Sequence, residues 1–88
     1  MSDRVTTEAA RLAMALVRTE DERENHRALM VAMRSFEDPM DRLSVHFHAA
    51  RLLALQLREL TKAIGTFDRM IEHIDAALFD LVMNEEEP

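Results

Sequence analysis

The sequence contains no cysteine, no tryptophan and no tyrosine, one glycine, two prolines and a single lysine. Without cysteine there can be no disulfide scaffold, thiol nucleophile or thiolate metal site, and a reducing compartment such as the cytoplasm is the expected setting. One glycine and two prolines are too few turn residues for a multi-stranded sheet, so the fold class is all-α. Nor is there a glycine-rich loop to cradle phosphates. Basic excess is also missing: the net charge of −6 disfavours nucleic-acid binding, which normally needs a positive face. Arg11, Arg18, Arg51 and Arg58 interrupt every apolar run, so no membrane span is expected. The start Met1-Ser2-Asp3-Arg4 lacks the basic and apolar regions of a secretory signal, so no export is expected.

What is present is 48% hydrophobic and 32% charged, too apolar for disorder. The 88 residues are read as one helical domain, 1–88, with a thin core of its own. A chain of that size still leaves about 40% of its unfolded surface exposed. Ten of the eleven basic residues are arginine, a bias that suggests a GC-rich bacterial genome or its phage.

The clearest boundary is Glu37-Asp38-Pro39-Met40-Asp41. Pro39 suits a first helical position, Asp38 its N-cap and Asp41 the first turn, near the positive end of the helix dipole. From there Leu43, His46, Ala50, Leu53, Leu57, Leu60, Ile64, Phe67, Ile71, Ile74, Leu78 and Leu81 repeat at 3-4 spacing. That register predicts one long C-terminal helix over about 40–83, with His46 its one polar member and Gly65-Thr66 the one place for a kink or a break, since glycine can end a helix and threonine can cap the next. Residues 84–88 read as a frayed acidic tail. Earlier in the chain, Val5, Ala9, Leu12, Ala13, Leu16 and Val17 predict a helix over about 4–18. Leu29, Met30, Met33 and Phe36 predict another over about 20–37, opened by a capping box of Thr19 and Glu22. The expectation is a helical hairpin or three-helix arrangement dominated by the long helix.

A fold-back at Asp38-Pro39 sets the wholly polar stretch 19–27 opposite the stretch 50–58, which is apolar on most sides. A helix apolar nearly all round is a buried one, so a second surface must cover it. A second copy of the chain suffices. Residues 42–65 hold Arg42, Arg51, Arg58 and Lys62 against Glu59, net +3, while residues 66–88 hold Arg69 against seven acids, net −6. A two-fold antiparallel pairing into a homodimeric helical bundle brings these opposite charges together. Leu52, Leu53, Leu55, Leu57, Phe79 and Met83 are the expected interface, and Arg51, Arg58, Lys62 and Arg69 the expected steering charges. The rival is that a different protein covers the same surface.

No Glu-x-x-His or Asp-x-x-His pair of the kind that builds di-metal helical bundles is present. His46, His26 and Glu22 are the residual metal-ligand candidates, and neither a metal nor another cofactor is expected. A buried His46 would tie association to pH near about 6, because charging a buried imidazole is costly. Neither Ser35 nor Ser44 has a base and an orienting acid at helical spacing, so no enzyme activity is expected. Met14, Met30, Met33 and Met70 read as core fillers. Function is therefore expected to be non-catalytic: a bacterial or phage adaptor or inhibitor that occupies a partner's surface, with a metal-binding bundle as the alternative.

Overall fold

A computed structural model describes residues 3–86, and among these every regular element is a helix: α1 (Asp3–Arg18), α2 (Glu22–Arg34), α3 (Pro39–Ala63) and α4 (Phe67–Glu86). No helix among them is long and apolar enough to cross a membrane. The chain divides into two compact units, Met1–Leu55 and Gln56–Pro88, and α3 runs through the boundary.

Local chemistry sets each helix end. The break after α1 falls in the polar stretch, as its composition requires, but the cap is Asp21 rather than Thr19. The Asp21 carboxylate accepts from the Arg23 amide at 2.9 Å and the Glu24 amide at 3.4 Å. The Thr19 hydroxyl instead accepts from the Asp21 amide at 3.1 Å, fixing the turn that leads to the cap. An aspartate accepts these donors with a full negative charge at the positive helix end, an advantage that threonine lacks. At the next boundary the Asp38 carboxylate accepts from the Met40 amide at 2.9 Å, and Pro39 opens α3. The turn before it is tied by Arg42, whose Nε donates to the Phe36 carbonyl at 2.7 Å. Arg4 donates to the Ser35 carbonyl and lies over the Phe36 ring.

The first unit gathers its core from Val5, Ala9, Leu12 and Ala13 of α1, Ala32 of α2, Phe36, and Val45 and Ala49 of α3. Half of these are alanine, so helices can approach closely there but each such residue buries little apolar area. The inward face of α3 is Val45, Ala49, Leu52 and Leu53; of the predicted seam Leu53 packs on the core, whereas Leu43, His46 and Ala50 are exposed. The physical reason is that α3 is apolar on two sides, so 3-4 spacing alone fits either face. Two of the expected core fillers, Met14 and Met30, are also exposed, whereas Met33 packs on the core.

The second unit comprises the end of α3 and all of α4. Gly65, at φ +76°, divides the long helix expected over 40–83. The Gly65 amide donates to the Lys62 carbonyl at 3.3 Å and the Thr66 amide to the Thr61 carbonyl at 2.8 Å, the two bonds of a Schellman close. Phase continuity across the glycine had hidden this stop. Thr61 is buried, its hydroxyl donating to the Leu57 carbonyl at 2.7 Å, and the Met70 sulfur lies 3.8 Å away. Arg58 and Lys62 sit over the Phe67 ring at 5.2 and 5.1 Å. Beyond Met70 every described side chain of α4 is exposed. The helix runs to Glu86, past its expected end at 83, so Asn84 and Glu85 of the expected frayed tail are helical. Glu87 and Pro88 lie outside the described residues.

Gly65→Ala tests what holds the break. A β-carbon there meets nothing within 4 Å, so the cost is the left-handed backbone alone, roughly 1–2 kcal/mol for an L-residue. Alanine also favours a continuous helix by about 1 kcal/mol over glycine. The expected outcome is a gain in helical circular dichroism as α3 and α4 fuse. A loss of stability at unchanged helicity would show that residues other than the glycine hold the turn.

Candidate functional site

Three surfaces stand out. The first is a cleft of about 940 Å³ in the first unit, where α1, α2 and α3 diverge. Its floor is Leu12, Leu16, Leu29 and Leu53, and its mouth carries Glu22, Arg23, His26 and His46. The cause lies in the chain: the opening of α2 lines the cleft with the polar side chains of Glu22, Arg23, Asn25 and His26, opposite Ala49, Ala50 and Leu53 of α3, and Leu29 is its only apolar contribution among the described residues. The Asn25 side-chain oxygen is buried there without a hydrogen-bond partner among the described residues.

His46, His26 and Glu22 thus line one cleft, although they lie on different helices. Among the described residues no group of three or more His, Asp or Glu side chains is arranged to hold a metal ion. His46, expected at a core position, is exposed.

Apart from the cleft, two separate apolar stripes are exposed, one on α3 and one on α4. On the side of α3 turned away from Val45 and Ala49, Leu43, Phe47, Ala54 and Leu57 form an exposed stripe, with Leu43 60% and Phe47 59% accessible, and Ala50 lies at its edge, where it also lines the cleft. On α4, Ile71, Ile74, Leu78 and Leu81 form another, and all four are exposed. Leu60 and Ile64 at the end of α3 are 61% and 63% exposed, so α4 does not cover them. Single exposed leucines are ordinary on protein surfaces; continuous stripes of this length are not.

Of the six residues expected at an interface, Leu52 and Leu53 are half-buried and pack against the core of the first unit. Leu55, Leu57, Phe79 and Met83 are exposed. The four steering candidates, Arg51, Arg58, Lys62 and Arg69, are exposed too. Sequence reasoning missed Phe47, whose spacing of four from Leu43 and three from Ala50 places it on the outer stripe. Compared with models of protein families, with curated proteins and with solved structures, the chain matches none.

Proposed function

We propose that this chain is a non-catalytic helical interaction module, a cytoplasmic homodimer of the bacterial or phage adaptor or inhibitor kind, which acts by occupying a partner's surface. One observation carries this reading: α4 is a twenty-residue amphipathic helix whose apolar residues Ile71, Ile74, Leu78 and Leu81 are all exposed among the described residues. In proteins most of a helix's stability comes from packing of its amphipathic face rather than from intrinsic propensity. Burial of Ile71, Ile74, Leu78 and Leu81 contributes about 1.5–3 kcal/mol per fully buried side chain, enough to hold the helix when a second surface meets it. The small, alanine-rich core of the first unit favours the same conclusion, because joining two thin cores raises the apolar area buried per chain. Sedimentation at tens of micromolar tests it, with a species of twice the 10.2 kDa chain mass expected. A compact monomer across that range would overturn the homodimer.

A further inference from the structure

The dimer reading leaves open which surfaces meet and in which orientation, and the charge rows beside the two stripes supply both. We infer that the outer face of α3 is the seat for α4 of a second copy, laid antiparallel and exchanged reciprocally between the two chains.

The two stripes are complementary in relief. Leu43 to Leu57 on α3 spans about 21 Å and Ile71 to Leu81 on α4 about 15 Å at 1.5 Å per residue, so the α4 stripe fits within the α3 stripe. The centre of the α3 stripe is small, Ala50 and Ala54, whereas the α4 stripe carries Ile74 and Leu78 at its centre. Bulky side chains therefore meet a shallow trough, and the helix axes approach closely.

Charge selects the orientation. Viewed from the N-terminus of α3, Arg51, Arg58 and Lys62 form a row clockwise of its apolar stripe. Viewed from the N-terminus of α4, Asp68, Glu72 and Asp75 form a row clockwise of its own stripe. When two helices pack antiparallel, flanks on the same rotational side come together, so the basic row of one chain meets the acidic row of the other. Parallel packing would set the basic row against Met70, Ala77 and Asn84, which carry no charge. Pairing α4 with a second α4 would bring two acidic helices together, an arrangement that like charge opposes.

This inference rests on the dimer reading, and a two-variant experiment on the full chain separates them. One variant is Arg51→Glu/Arg58→Glu/Lys62→Glu and the other Asp68→Lys/Glu72→Lys/Asp75→Lys. Each carries like charge on both rows and is expected to dimerise on the order of 100-fold more weakly than the wild type. Mixed together they present complementary rows at both seats, and sedimentation should recover a one-to-one heterodimer. Because recovery is read on the mixture, a loss of fold in either variant alone does not imitate it. Persistent dimerisation of either variant alone, or a mixture that does not pair, overturns the inference while leaving a wild-type dimer standing. A wild-type monomer at the same concentration overturns both.

Discussion

Replacing Leu12 by alanine is expected to lower stability by about 2–5 kcal/mol, the range for deleting a buried leucine side chain. Leu12 is 4% exposed and is the one leucine in a core otherwise built from alanine, valine and phenylalanine. Small domains have only about 5–15 kcal/mol in total, so the loss is a large part of the whole. In thermal unfolding it corresponds to a midpoint lower by roughly 10 °C or more for a domain of this size. Met14→Ala, a nearby but exposed position, serves as the comparison and should change stability by less than about 0.5 kcal/mol. Equal effects at the two positions would mean that the core is not where α1 meets α2 and α3.

The second large effect is expected from Ile74→Glu/Leu78→Glu on α4. Two carboxylates placed on an apolar stripe must be desolvated on association, so the double variant should sediment at the 10.2 kDa chain mass where the wild type is a dimer. Its α4 should also lose helicity, because a lone helix of that length lacks a stabilising partner. The first unit keeps its own core and should retain its unfolding transition. Asp80→Ala on the polar side of α4 should leave both mass and helicity unchanged. A double variant that remains dimeric would show that α4 is not in the interface.

The parts of this fold that sequence reasoning reached are those set by local chemistry. Asp38 and Pro39 specify a helix start through a side-chain acceptor and a fixed φ, and both act where they stand. The break between α1 and α2 was legible because a run without apolar residues cannot contribute to a core. Its cap lay at Asp21 rather than Thr19, since both residue types cap and spacing does not rank them.

Two features were hidden for the same reason. A hydrophobic repeat reports that a helix has an apolar face but not which face is inward when there is more than one. On α3 the repeat Leu43, His46, Ala50, Leu53 and Leu57 runs between the two faces: Leu53 packs on the core and Leu43 and Leu57 lie on the outer stripe, while shorter-chained Val45 and Ala49 are buried in the core with the first two helices. The repeat also continued in phase through Gly65, although two backbone bonds end the helix there. An in-phase repeat across a glycine is compatible with two helices that both present their stripes to a second surface. Of the residues expected at an interface, Leu55, Leu57, Phe79 and Met83 are exposed and Leu52 and Leu53 pack on the core of their own unit, and only Leu57 lies on the stripes proposed above.

The claim that α4 is completed by a second chain is tested most directly by amide hydrogen exchange across 70–83, measured at protein concentrations from nanomolar to hundreds of micromolar. Protection of those amides should rise with concentration and follow the dimer population, while the core amides of α1 stay protected throughout. Concentration-independent protection of α4 would mean that its own chain covers it, and that result would contradict the account.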